Sequence, residues 1–188
     1  SFSTDLGTIG LIDIPSARMM NDGYLKSSFA SQKIADITSI TYQASPWLET
    51  TFRYTIFNPD NENDRNNSNI DGLNDRSYGV KIRLKKEGAI SPQVSIGIQD
   101  LIGTGAWNAE YIVASKKINN FDFTLGLGWG RLAQRDISDN PISSIDNSFS
   151  SRGFSGGEKG GKIRGSSFFR GKKVGVFGGA SYSVPNSN

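Results

Sequence analysis

Trp47-Leu48-Glu49-Thr50-Thr51-Phe52-Arg53-Tyr54-Thr55-Ile56 is the stretch whose reading decides the fold. Leu48, Thr50, Phe52, Tyr54 and Ile56 share one face of an extended chain, and Glu49, Thr51, Arg53 and Thr55 share the other, because side chains alternate along a strand. A helix would scatter both sets. Ser77 to Lys85 repeats the pattern, with Tyr78, Val80, Ile82 and Leu84 against Gly79, Lys81, Arg83 and Lys85. About ten residues is the length of a tilted strand that crosses a bilayer. The apolar face therefore meets either a protein core or lipid.

The same alternation recurs outward from this hairpin. Upstream, Leu25, Ser27 and Phe29 oppose Lys26, Ser28 and Ala30, and Ile40 and Tyr42 oppose Thr41 and Gln43. Downstream, Val94, Ile96 and Ile98 oppose Ser95 and Gly97. Ala109, Tyr111 and Val113 oppose Glu110, Ile112 and Ala114. The cleanest strand runs Phe121, Phe123, Leu125, Leu127 and Trp129 against Asp122, Thr124, Gly126 and Gly128, and Lys173 to Ser183 reads as the last strand. Residues 1–22 lack this periodicity, with Gly7, Gly10 and Pro15 interrupting them, and are expected to be a lead-in segment to a strand region over 23–188.

Connection lengths alternate. Ser45-Pro46, Lys86 to Pro92 and Lys117 to Asn120 are short, whereas 58–76 and 130–165 are long, polar loops. In a meander, alternate connections lie at the same end, so one rim carries tight turns and the other long loops, as in outer-membrane barrels. Tyr24, Tyr42 and Trp47 fall toward the short-turn rim, and Tyr78, Trp107 and Trp129 toward the long-loop rim, where two interfacial aromatic girdles are expected.

Composition removes several function classes. Lys and Arg total 21 against 18 for Asp and Glu, and a net charge of +3 does not point to nucleic acid. The chain has no Cys and no His, which rules out disulfides, thiolate zinc sites and imidazole-based catalysis. No apolar run approaches the length of a membrane-spanning helix. Ser1-Phe2-Ser3-Thr4-Asp5 reads as a processed or trimmed start.

Gly7-Thr8-Ile9-Gly10-Leu11-Ile12-Asp13-Ile14-Pro15-Ser16-Ala17-Arg18-Met19, followed by Asp22-Gly23, resembles the opening of the YjbH-type family of outer-membrane exopolysaccharide and capsule proteins. The likeness continues in Tyr42 to Glu49, in Asp75 to Lys81, in Gly97 to Gly105 and in Phe168 to Gly179. Pro15, Ser16, Ala17 and Arg18 are the centre of the opening motif. The resemblance implies a barrel in the cell outer membrane, with outer-membrane lipid around it and a polysaccharide with its export machinery as partners. Two departures stand out: family members are considerably longer, and the chain ends at Val184 to Asn188 without a terminal aromatic strand end.

Candidate chemistry is thin. Gly156-Gly157-Glu158-Lys159-Gly160-Gly161-Lys162-Ile163 follows phosphate-loop spacing until Ile163 stands where Ser or Thr must hold magnesium. Asp60, Glu62 and Asp64 alternate as in some calcium loops, but the glycine turn and the bidentate carboxylate are missing. No metal and no cofactor is expected. Glu49, Arg53, Lys81, Arg83 and Lys85 share the polar face of the central hairpin and are the lumen-lining candidates. They form either a basic wall for an acidic polymer or, in a narrow barrel, a Glu-Arg network that fills the interior.

The expected fold is thus all-β: an antiparallel up-and-down transmembrane β-barrel of about eight strands here, complete or the N-terminal part of a larger barrel. The expected role is non-enzymatic support of exopolysaccharide or capsule export or surface display. The alternatives are a soluble secreted barrel or sandwich that binds carbohydrate through its long loops, and a glycan-modifying enzyme using paired carboxylates.

Overall fold

Side-chain alternation over 8–12 residues becomes a strand ladder when neighbouring runs carry the same period, and here it does so repeatedly. The computed structural model describes residues 2–11, 14–33, 35–57, 74–102, 108–133, 138–153, 163 and 165–184. Trp107, the Asp60, Glu62 and Asp64 run, and the glycine-rich 156–162 lie outside them. In chain order the strands are β1 (Phe2–Ser3), β2 (Ile9–Leu11), β3 (Ile14–Pro15), β4 (Leu25–Gln32), β5 (Ala35–Ser45), β6 (Leu48–Phe57), β7 (Asn74–Lys85), β8 (Gln93–Ile102), β9 (Ala109–Ile118), β10 (Phe121–Gly130), β11 (Ser138–Asp139) and β12 (Lys173–Tyr182). All ladders are antiparallel. The fold is all-β.

β1, β2 and β3 make a small sheet, and the other nine strands make a large one in the order β11-β12-β10-β9-β8-β7-β6-β5-β4. Apart from the two-residue β11, the large sheet is a meander in chain order. Ser45 pairs with Leu48 across one tight turn, and Ile118 pairs with Phe121 across Asn119-Asn120. Asn119 takes φ of +53°, a left-handed conformation that Asn tolerates and that two-residue hairpin turns demand. Meander parity puts these turns and 86–92 at one end of the sheet, and the long connections 58–73 and 131–172 at the other, together with the two-residue connection between β4 and β5. Among the described residues β4 is laddered only to β5, and no ladder joins it to β12.

Residues 1–22 do more than lead in. From one face of the large sheet, side chains of β5, β6, β7, β8, β9 and β10 all bond to residues 7–20. Gly7 lies against Ser39 of β5, and Leu11, four residues on, lies against Gly179 of β12, six strand spacings away; a flat sheet would part those strands by about 29 Å, about twice what four residues span. The sheet therefore curls around residues 4–11 and 14–18. Gly7, at φ +89°, leaves no room for a Cβ, which would meet Ser39 Oγ at 2.3 Å. Leu6, Ala35 and Ile37 form one small apolar cluster inside the curl, and Ala17, Tyr111 and Val113 form another.

The outward face is apolar. Tyr24, Tyr42, Trp47 and Tyr78 are exposed, as are Leu25, Phe29, Phe121, Phe123 and Leu125. Phe52 packs against Tyr78 at 5.1 Å between ring centres, and Phe121 against Tyr182 at 4.9 Å, as cross-strand pairs.

Trp129 departs from the expected girdle: it is 1% exposed. Its Nε1 donates to Asn140 Oδ1 at 3.1 Å, and its ring meets Phe169 edge-on. The polar loop after β10 folds back over this end of the sheet instead of extending into solvent. Of its short 3₁₀ turns, Pro141–Ser144, Asn147–Ser150 and Gly165–Ser167, the first is capped by Asn140 and the second is bonded to it through Phe149. The Asn140 amide donates to the carbonyls of Phe149, Phe169 and Gly171. Beside Trp129, the fully buried Glu110 carboxylate accepts two bonds of 2.8 Å from Arg152 and one from the Phe169 amide.

Candidate functional site

The period-two pattern of β6 and β7 aims Glu49 and Lys81 into the curl, and the ladder sets them directly opposite each other. Each is 1% exposed, and Lys81 Nζ lies 3.0 Å from Glu49 Oε2. An isolated charge there would be untenable, so the remaining capacity of each group must be used. Lys81 also donates to the carbonyls of Ile9 (3.2 Å) and Arg18 (2.8 Å), which accounts for the three ammonium protons. Glu49 Oε1 accepts from the Thr8 hydroxyl (2.7 Å) and the Ile9 amide (3.3 Å). The ion pair is thus a clamp on the backbone of residues 8–18.

The motif Pro15 to Arg18 sits at the centre of this arrangement. The Ala17 amide donates to Ser115 Oγ at 2.9 Å, and its carbonyl accepts from Ser95 Oγ at 2.9 Å and from the Gln93 amide. Pro15 is buried, and Ser16 bonds back to the Ile9 carbonyl, holding β3 beside β2. Arg18 leaves the interior at the short-turn rim. There its guanidinium makes a bidentate pair with Asp122 (2.7 and 2.8 Å) and a further bond with Glu87.

The five lumen candidates separate. Glu49 and Lys81 meet in the clamp. Arg53 is buried two inward positions along β6 from Glu49, beyond Thr51, in the field of Asp100, Asp75 and Arg131. Arg83 is only half-buried, and Lys85 is exposed: a register shift between β7 and β8 at Arg83/Lys85 carries the strand end out of the curl. A continuous basic wall is therefore not what the interior presents. Its surface is mostly hydroxyl and amide, from Thr41, Gln43, Thr51, Gln93, Ser95 and Thr124, with the ion pair in its midst. Tyr111 fills the space over Gly97, where a Cβ would fall 2.3 Å from the ring.

Such an arrangement immobilises a peptide segment; its ionised groups at the centre are committed to partners within 3.3 Å. Among the described residues no three of His, Cys, Asp and Glu gather as a metal-binding group. Periodicity did not mark Ala17, Gln93, Ser95 or Ser115 as site residues. The motif Pro15 to Arg18, and the inward parity of Glu49 and Lys81, were the signals of this centre in the sequence.

The rim cluster carries a pH signature. Burial raises the Glu87 pKa, but bonds from Arg18, the Lys117 amide and Lys116 outweigh it and hold the carboxyl at about 2. The same cluster raises the Arg18 pKa, chiefly through its bond to Asp122 and against the effect of burial. A carboxylate with a depressed folded pKa stabilises the fold above its unfolded value, about 4.5, and loses that contribution as pH falls through about 2. Glu87→Gln is expected to lower the urea midpoint by a constant amount above pH 5. The difference from the parent should shrink steadily between pH 4.5 and pH 2; a difference unchanged at pH 2 would show that the pairing contributes nothing.

A family model described as exopolysaccharide biosynthesis protein YbjH matches residues 3–188. The chain is also similar to a protein of Escherichia coli strain K12 named "Uncharacterized lipoprotein YjbH", with 37% identity over 188 residues, covering 97% of this chain. It spans only 26% of that relative's length. No solved structure matches.

Proposed function

The chain belongs to the YjbH exopolysaccharide biosynthesis family, and we propose that it forms wall strands of an outer-membrane β-barrel, a non-enzymatic element that supports export or surface display of an exopolysaccharide or capsule. The observation that carries this proposal is the inversion of burial. A water-soluble antiparallel sheet packs its apolar face and wets its polar one. Here Glu49, Arg53 and Lys81 are the covered side chains, while Phe29, Leu125 and their neighbours stand exposed at 68% and 63%. Contiguous apolar surface on this scale calls for a partner phase, and strands of 8–12 residues match a hydrocarbon layer. Outer-membrane lipid is that phase in this proposal.

The name of the Escherichia coli relative, a lipoprotein, fits membrane association. Because residues 4–11 and 14–18 occupy the interior, the proposed contribution to export is a scaffold for the polysaccharide machinery at the rims rather than a conduit through these strands. Detergent dependence tests the membrane part. The protein is expected in the membrane fraction, extracted only by detergent, and a folded, monodisperse protein in plain buffer would refute this and leave a secreted carbohydrate-binding role. Loss of polymer secretion on deletion, with no hydrolysis of the polymer in vitro, separates the scaffold from a glycan-modifying enzyme.

A further inference from the structure

We infer that β4 and β12 do not close on each other and that the seam between them is filled by an even number of further antiparallel strands, supplied in cis by the longer polypeptide. This rests on the membrane-barrel proposal, since only hydrocarbon makes an unpaired strand edge untenable, there being no water to satisfy its amides and carbonyls. Both edges are apolar toward the outside: Leu25 and Phe29 on β4, and Val176 and Tyr182 on β12, are exposed. Neither edge is laddered to the other among the described residues, and the outer side of β12 is paired there only with the two-residue β11, at Lys173 and Val174.

Three further observations exclude simple closure of the existing strands. An eight-stranded barrel has an interior just wide enough for its own side chains or one small ligand. This curl instead encloses backbone, residues 4–11 and 14–18 with the β1-β2 and β2-β3 ladders. Burial of the inward face also falls off toward the seam. Thr55, Ser77, Lys81 and Ser95 on the middle strands are almost wholly covered, whereas Lys26 and Ser28 on β4 and Phe177 and Ser181 on β12 are only half-buried. A cleft lined by Leu11, Arg18, Asp122 and Ser181 opens beneath β12. Inward side chains of added strands would fill it.

The number is constrained by direction. Counting along the meander, β4 and β12 run antiparallel, so strands inserted in the same up-and-down order must be even in number. Supply in cis is the source the proposal commits to, on two grounds: the similar Escherichia coli protein is nearly four times as long as this stretch, and β12 ends at the rim beside the seam it borders. A second copy would have to bring its own enclosed segment with it.

Cysteine cross-linking in the full polypeptide, in its membrane, tests this. The 188 residues contain no cysteine, and any elsewhere are replaced by serine. The edge pairs are Ser27→Cys with Ala180→Cys, Phe29→Cys with Gly178→Cys, and Ser31→Cys with Val176→Cys. Ser27→Cys with Ile40→Cys, partners in the β4-β5 ladder, is the positive control. Oxidation is expected to bridge the control but none of the edge pairs. Bis-maleimides reaching about 14 Å, three strand spacings, or more should join the edges within one chain, each cysteine thiol adding across one maleimide double bond. A direct disulfide within one chain would establish closure, one between two chains would establish a dimer seam, and failure of cross-linkers of every reach to join the edges within one chain would deny a common barrel; each overturns the inference. Solubility without detergent would instead defeat the membrane proposal, whatever the cross-links.

Discussion

Arginine in place of Leu125 is expected to prevent stable membrane assembly. Leu125 lies mid-strand in β10, opposite Ala114 of β9 and Gly178 of β12, and is 63% exposed. In a water-soluble protein so exposed a side chain tolerates charge, with effects within about 0.5 kcal/mol. On the lipid face of a barrel the same change costs about 2–4 kcal/mol near the midplane. Phe29→Arg on β4, at 68% exposure, should behave the same way. Ile90→Arg is the control: Ile90 is 95% exposed but sits in the turn 86–92, beyond the strands, where the depth-dependent cost fades. The folded, heat-modifiable fraction in membranes should collapse for the first two and stay near the parent value for the third. Equal tolerance at all three sites would refute the lipid-facing assignment.

The wall was legible in the sequence because strand periodicity is a local property. Leu125 and Thr124 declare opposite faces without reference to anything else, and the register then follows from keeping like faces together. The interior was not legible, because residues 4–11 and 14–18 are held through their backbone. Gly7, Ile9, Ala17 and Arg18 offer carbonyls and amides to Thr41, Lys81, Ser95 and Ser115, and bonds to main-chain atoms leave no pattern in residue type. Trp129 was misplaced for a related reason. Its parity is that of Leu125, but Asn140 and Phe169, from a loop that composition marks as solvated, close over it. Lys85 kept its parity on paper and lost its place through a register shift, which alternation alone does not reveal.

Lys81→Met tests whether the enclosed segment is integral to the fold. The substitution preserves length and bulk but leaves the Glu49 carboxylate buried without its counter-charge, and breaking a buried pair from one side costs about 3–5 kcal/mol. It also strips a donor from the carbonyls of Ile9 and Arg18. Replacing both members of a buried ion pair by apolar residues is often neutral, but here it should not be. Glu49→Met with Lys81→Met would take this acceptor from Thr8 Oγ1 and the Ile9 amide and this donor from the Arg18 carbonyl, while the Ile9 carbonyl keeps its bonds from Ser16, each orphan costing about 1–3 kcal/mol. The double variant is therefore expected to be at least as destabilised as Lys81→Met, with protease cleavage appearing within residues 1–22 before the strands unfold. If the double variant recovers parental stability in urea unfolding, the pair acts only on itself, and the segment is held in the curl by something other than this clamp.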